Sequence, residues 1–149
     1  MTFMQKLRKS AKEKKGFTLI ELIIVIAIIA ILIALIAPNL VKFLSTARKT
    51  SVDANAKTAY TSIQTYLTEQ ETAGITIGNA SYEIKVTGGA VVATPELKGI
   101  SGYFNAKELD KVIITAEVGK NNTLTKVTWA VTGGNSATYP KETEPTTTP

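Results

Sequence analysis

An unbroken apolar run near the N-terminus constrains this chain more than any other feature of its sequence. The 21 residues from Phe17 to Ala37 carry a single charged side chain, Glu21, and every side chain from Leu22 to Ala37 is apolar. As an α-helix, 21 residues are about 31 Å long, which matches the hydrocarbon core of a bilayer. A buried helix of a soluble domain normally keeps a polar face, so this run predicts a membrane-spanning helix.

The charged residues on either side of the run set its expected orientation. Residues 1–16 hold six basic side chains and one acidic side chain, Glu13, whereas residues 17–149 hold eleven of each. Under the positive-inside rule, this asymmetry keeps residues 1–16 in the cytoplasm and places the C-terminal part outside. The formal charge of +5 therefore belongs to the N-terminal segment. The rest of the chain is neutral and offers nucleic acid no general electrostatic attraction.

Two residues at the start of the run are unusual for a plain membrane anchor. Glu21 is a carboxylate in an apolar span, where inserting an ionised group costs at least ~2.5 kcal/mol near the bilayer centre. Because of this cost, we expect Glu21 to have a function and to pair with a partner group. Gly16 is a small residue between the basic cluster and the apolar run. An ordinary secretory signal would have a shorter apolar region and a small-residue cleavage site, and residues 35–38 do not provide a good one.

Residues 14–21 read KKGFTLIE: a charged leader, a glycine, a phenylalanine, and a glutamate five residues after the glycine. Joined to a membrane-length apolar run and to Pro38, this order resembles the class III signal peptide of type IV pilin precursors. The detailed resemblance covers residues 14 to about 40. Beyond that point, only the general layout of the chain is similar.

The resemblance implies a pathway of processing and assembly. A prepilin peptidase would cut after Gly16 at the cytoplasmic face of the membrane, and the new amino group of Phe17 would be N-methylated. Glu21 would then pair with the Phe17 amino group of a neighbouring copy while an assembly platform and its ATPase build a helical homo-oligomeric filament. The precursor would be a single-pass protein of the cytoplasmic membrane, and the assembled subunit would lie in an extracellular pilus.

This interpretation divides the chain into four segments. Residues 1–16 are the cytoplasmic leader, residues 17–40 the transmembrane and filament-core helix, residues 41–134 a globular head, and residues 135–149 a flexible tail rich in Asn, Ser, Thr, Pro and Glu. Pro38 lies inside the helical pattern and removes one backbone donor. We therefore expect a helix kink at this residue; the alternative is that Pro38 ends the helix.

The head has the pattern of an amphipathic helix followed by a sheet. Apolar residues recur at spacings of three and four from Val52 to Leu67, and Gly74 is the natural end of this helix. Four segments have the alternation or the β-branched content of strands: 82–86, 90–94, 112–118 and 125–131. The predicted fold class is α+β, in which the C-terminal half of a long N-terminal helix packs on a small antiparallel sheet, the type IV pilin fold.

Connections and the single tryptophan complete the predicted head. Residues 119–122 (GKNN) separate the last two strands and indicate a hairpin. Residues 95–111 should form a loop with a short helical turn near residues 106–111. Trp129 should point toward the helix and pack in the core, and the alternative is that its ring is a platform for a ligand.

The composition indicates a structural protein and not an enzyme. The chain has no histidine and no cysteine, so it lacks the residues of the common nucleophilic triads and of cysteine–histidine metal sites. No glycine-rich phosphate loop and no pocket of paired carboxylates is evident. We therefore predict no catalytic residue, no metal and no cofactor. Pilins commonly close their C-terminal region with a disulfide, and its absence here favours a Gram-positive source.

The predicted function is a structural subunit of a type IV pilus, used in adhesion, surface motility or aggregation. A pseudopilin of type II secretion shares the leader and helix, but such pseudopilins bind calcium in a C-terminal loop, and this chain has no acidic residue between Glu117 and Glu142. A subunit of a competence pseudopilus would take up DNA, for which the neutral mature chain is poorly suited. A plain anchor for a soluble binding domain explains the span but not Gly16, Phe17 or Glu21.

Overall fold

The computed structural model describes residues 2–6 and 16–141 of the 149-residue chain. Most of the predicted leader and the last eight residues of the predicted tail lie outside the described residues. The chain divides into two compact units, an N-terminal unit up to Phe43 and a C-terminal unit from Leu44 onward, which we call the head. One helix, α1 (Leu19–Thr72), contributes to both units, and all the strands belong to the head.

In the N-terminal unit, α1 continues through Pro38 without interruption. The alternative in which Pro38 ends the helix is therefore wrong, and a kink at this residue stays a prediction. Every described residue from Gly16 to Phe43 is exposed, and the helix is long and apolar enough to cross a membrane. The apolar side chains of this unit thus form no core of their own.

In the head, α1 buries the stripe that the sequence predicts. The buried residues of the helix recur at the expected spacing: Val52, Ala56, Ala59, Ile63, Tyr66 and Leu67. The helix ends two residues before Gly74, which has the positive φ of 75° that a left-handed cap requires. Its amide donates to the Glu71 carbonyl at 2.9 Å, and the Ile75 amide donates to the Gln70 carbonyl at 2.8 Å. These two bonds define a Schellman motif, as expected for a helix ended by glycine.

Five strands form one antiparallel sheet in the order β2-β1-β3-β4-β5. They are β1 (Ala80–Thr87), β2 (Ala90–Thr94), β3 (Val112–Val118), β4 (Leu124–Val131) and β5 (Ser136–Tyr139). The first four confirm the strands predicted from the sequence, and β3 and β4 form the predicted hairpin. The head core lies between α1 and one face of this sheet, so the α+β fold class is confirmed.

The prediction of a flexible tail beginning at residue 135 is wrong for β5. This strand pairs with β4 and is also held to α1. The rings of Tyr139 and Tyr60 meet edge to face with their centres 5.1 Å apart. Just after the strand, the Lys141 ammonium lies 2.7 Å from the Asp53 carboxylate. An aromatic contact and sheet pairing thus order a segment whose composition alone suggested a loop.

The long connection between β2 and β3 closes one end of the core. It contains the turn predicted near residues 106–111, where the Leu109 amide donates to the Asn105 carbonyl at 3.3 Å. It also contains a 3-10 turn at Ile100–Tyr103 that was not predicted. Ile100 and Leu109 are both buried, and the Tyr66 hydroxyl of α1 donates to the Lys98 carbonyl at 3.1 Å. The connection is therefore packed against the helix.

Candidate functional site

The candidate site is the first turn of α1, where Thr18 and Glu21 form a capping box. The Glu21 amide donates to the Thr18 hydroxyl oxygen at 3.3 Å. In return, the Thr18 amide and hydroxyl donate to Oε2 of Glu21 at 2.8 and 3.0 Å. A threonine followed three residues later by a glutamate is the sequence signature of this arrangement. The box supplies partners for backbone amides that the helix leaves unpaired.

The sequence reasoning identified Glu21 by its charge and missed its place in the helix cap. The T-x-x-E signal stands openly in residues 18–21. A carboxylate in the first turn is also favoured by the partial positive charge at a helix N-terminus. Only Oε2 of Glu21 is used in this way, and its other oxygen, Oε1, has no hydrogen bond to any residue that the structure describes. Glu21 therefore caps its own helix and keeps one oxygen available.

Gly16 and Phe17 directly precede the capping box and make no structural contribution that would explain their identity. The Phe17 side chain is 90% exposed. A Cβ atom added to Gly16 would meet no atom of the described residues within 4 Å. The described part of the chain therefore gives no packing reason for a glycine or a phenylalanine at these two positions.

The helix that follows presents an apolar surface on every side. From Leu19 to Phe43, each large apolar side chain of α1 is between 48% and 77% exposed. A patch of this size on a soluble monomer marks a contact with a membrane or with another protein. The capping box thus stands at the start of a helix that requires an external apolar partner along its whole first half.

The other two residues singled out by the sequence lie apart from this site along the chain. Pro38 is inside the apolar half of α1. Trp129 is on β4, only 8% exposed, and belongs to the core cluster of the head. Its buried Nε1 atom has no hydrogen-bond partner among the described residues. So little of the ring is accessible that a ligand could not stack on it.

The described part of the chain contains no group of three or more Asp, Glu, His or Cys side chains that could hold a metal ion.

Comparison with known proteins gives one match. Residues 11–37 match a family model described as the prokaryotic N-terminal methylation motif. No curated protein and no solved structure matches the chain. The matched segment includes Gly16, Phe17 and Glu21, so it contains the whole candidate site, and it does not extend into the head.

Proposed function

We propose that this chain, a type IV pilin-like or pseudopilin precursor by its N-terminal methylation motif, is a structural subunit of an extracellular type IV pilus. Prepilin peptidase cuts after Gly16, and the new amino group of Phe17 is methylated. The apolar half of α1 then holds the subunit in the cytoplasmic membrane until an assembly platform and its ATPase move it into the filament. Pilin-type proteins of this kind are usually structural and not enzymatic.

The observation that carries this proposal is the exposure of the apolar half of α1 along its whole length. The 17 large apolar side chains from Leu19 to Phe43 remain exposed among the residues that the structure describes. Lipid covers them in the precursor, because a bilayer solvates apolar side chains and the backbone bonds of a helix are satisfied internally. When the subunit leaves the bilayer, the hydrophobic effect requires a new cover. The surface available in many copies at that moment is the same helix of other subunits.

The geometry of Glu21 suits a contact between neighbours. Oε2 of Glu21 caps its own helix, and Oε1 is available to accept a second hydrogen bond. In the proposed filament, Oε1 of Glu21 accepts a hydrogen bond from the methylated amino group of Phe17 of the adjacent copy. A buried ion pair adds little to stability after its desolvation is subtracted, but it selects the register in which two apolar helices pack.

A pilus is favoured over a calcium-dependent pseudopilus by the composition of the head's last strands. Calcium is bound by several oxygen ligands, with carboxylates prominent among them. The segment from residue 118 to residue 141 contains no Asp or Glu. It folds as the whole of β4 and β5 with their connecting turns, so its residues serve the sheet.

Three variants at the capping box test the proposal, because they separate the charge of Glu21 from its role as a cap. Glu21→Gln keeps a residue that is favourable in a capping box and removes the charge. Glu21→Ala removes both functions. Thr18→Ala is the matched control, since it weakens the cap and leaves the charge in place. The measurements are the membrane-bound fraction, the mass of the processed N-terminus, and the amount of filament sheared from the cell surface.

We expect all three variants to insert in the membrane and to be cleaved before Phe17. Glu21→Gln and Glu21→Ala should both lose surface filaments, because the Phe17 amino group would be buried without a counter-ion at a cost of about 3–5 kcal/mol per subunit. Thr18→Ala should still form filaments. If Glu21→Gln assembled as well as the unmodified chain, or if the mature chain did not begin at Phe17, the proposed role would be wrong.

A further inference from the structure

The part of α1 that lies in the head has a second unusual surface, on the side away from the core. We call it the threonine face and define it by five exposed residues: Thr58, Thr61, Gln64, Thr65 and Thr68. It carries no charge and no large apolar side chain. The eleven residues from Thr58 to Thr68 contain no charged residue at all, although exposed helix faces of soluble domains are normally rich in charged residues.

The hydroxyl groups of this face are already satisfied within the helix. Each of its four threonines donates a hydrogen bond to the backbone carbonyl four residues earlier, at 2.9 to 3.1 Å. Burying such a hydroxyl leaves no unpaired donor, which is the main cost of burying a polar group. Threonine is also a poor helix former, so helix stability does not explain its repeated use. The threonine face can therefore be exposed to water or buried against another protein at little cost in free energy.

Opposite charges stand at the two ends of this face. Lys57, Gln64 and Glu71 are seven residues apart and lie along one side of the helix, because seven residues complete nearly two turns. Lys57 and Glu71 are separated by 14 residues, which is about 21 Å along the axis. The two charges therefore cannot pair within one chain.

The negative charge of Glu71 is unfavourable at its position in α1. It lies in the last turn of α1, which contains no basic residue and carries the partial negative end of the helix dipole. Its carboxylate has no hydrogen bond or ion pair with the described residues, whereas the nearby Glu69 carboxylate accepts a hydrogen bond from the Tyr103 hydroxyl. Among the described residues, the Lys57 ammonium makes only a long contact, with Nζ 6.0 Å from the centre of the Tyr139 ring.

We propose that the threonine face packs on a second copy of this chain shifted by about 21 Å along α1, so that Lys57 of one copy pairs with Glu71 of the next. This inference rests on the proposed filament. Copies anchored in one membrane share one orientation, so a contact between them is head to tail and not two-fold symmetric. Such a contact joins the Lys57 end of the threonine face on one copy to the Glu71 end on the next. Because the contact repeats from copy to copy without closing, it generates a filament.

A charge exchange tests the pairing in the full chain. Lys57→Glu and Glu71→Lys should each reduce the yield of surface filament about tenfold or more, because each brings two like charges together where the copies meet. The double variant Lys57→Glu/Glu71→Lys restores opposite charges and should recover the yield to within about twofold. Lys107→Glu and Glu108→Lys are the matched controls, since both residues are exposed charges on the turn before β3, and they should have no effect.

Cross-linking tests the geometry without any substitution. A carbodiimide joins an amine to a carboxylate that touches it and adds no spacer. Sheared filaments of the unmodified chain should yield the peptide pair linked through Lys57 and Glu71. Detergent-solubilised subunits should not yield it, because the two side chains of one copy are about 21 Å apart.

The outcomes distinguish this inference from the proposed function. If the unmodified chain forms filaments that Glu21→Gln abolishes, the proposed function stands whatever the charge exchange shows. Single variants with normal yield would overturn the inference, and so would a double variant that fails to recover or filaments that lack the Lys57–Glu71 link. If the unmodified chain forms no filament under any condition, both the proposed function and this inference are wrong.

Discussion

Asn122, in the turn between β3 and β4, should contribute strongly to the stability of the head. It is the one polar residue that is fully buried among the described residues, at 5% exposure. Its Nδ2 atom donates to the Ile75 carbonyl at 2.8 Å, and its Oδ1 atom accepts from the Ile77 amide at 2.6 Å. One side chain thus ties the segment that follows α1 to the hairpin of the sheet. We expect Asn122→Ala to destabilise the head severely.

The size of the effect follows from two separate costs. Alanine leaves the Ile75 carbonyl and the Ile77 amide unpaired in a part-buried position, at about 1–3 kcal/mol each. Asn122 also has a φ of 54°, and a residue other than Gly, Asn or Asp costs about 1–2 kcal/mol in that region. The neighbouring Asn121 has the same φ of 54°, is exposed, and makes no side-chain hydrogen bond to the described residues. Asn121→Ala is therefore a matched control that measures the backbone cost alone.

The assay is equilibrium unfolding in urea of a soluble head fragment that begins at Lys42. We expect Asn121→Ala to lower the free energy of unfolding by about 1–2 kcal/mol and Asn122→Ala to lower it by about 3–8 kcal/mol, with the same dependence on urea concentration. Asn122→Asp should be intermediate, because a carboxylate still accepts from the Ile77 amide and cannot donate to the Ile75 carbonyl. Equal losses for Asn121→Ala and Asn122→Ala would show that the two hydrogen bonds contribute nothing.

Two further predictions concern the same fragment. Trp129→Ala should lower the free energy of unfolding by about 3–5 kcal/mol because it leaves a cavity in the core. Thr125→Ala, at an exposed position of the same strand, should change the free energy of unfolding by less than about 1 kcal/mol. Equal effects of the two substitutions would place the tryptophan outside the core. Burial raises the pKa of Tyr66, and the hydrogen bond to Glu69 raises the pKa of Tyr103. Since both pKa values are higher in the folded state, these groups stabilise the head fully below about pH 10 and lose that contribution as the pH rises further. Unfolding followed from pH 8 to pH 11 should show this decline, and Tyr103→Phe should make it shallower; an unchanged slope would exclude Tyr103 from it.

Elements with a local signal could be predicted from the sequence. The buried stripe of α1 follows from its spacing, and its end follows from Gly74, because glycine adopts a positive φ without strain. The strands β1 to β4 follow from alternation and β-branched residues. Gly16, Phe17 and Glu21 were identified because a leader, a glycine and a carboxylate in an apolar run rarely occur together, and the matched motif at residues 11–37 includes them.

The remaining features depend on partners that are distant in the sequence. β5 is rich in small and polar residues, and it is ordered by pairing with β4 and by the contact of Tyr139 with Tyr60. The role of Asn122 depends on carbonyl and amide groups that lie 45 to 47 residues earlier. The cap formed by Thr18 is different, because its signal is local. It was missed since the charge of Glu21 suggested an intermolecular role first. The cap uses Oε2 of Glu21, and the proposed intermolecular role uses the other oxygen.

The exposed side chains of α1 change along its length from apolar to polar, which suits lipid around its first half and water around its second half. From Leu22 to Ala37, its exposed side chains are all apolar, and in the proposed precursor lipid covers them. From Thr58 to Thr68, the exposed face consists of threonine and glutamine. Water solvates these side chains, and in the proposed filament a neighbour can cover them at low cost. A single kind of surface could not serve both regions, since an apolar face on the head would aggregate in water and a polar face in the bilayer would be costly. The position of Glu21 follows the same reasoning, because a capped carboxylate is less costly at the end of the span than at its centre. In the proposed filament, its second oxygen is kept for the subunit that arrives next.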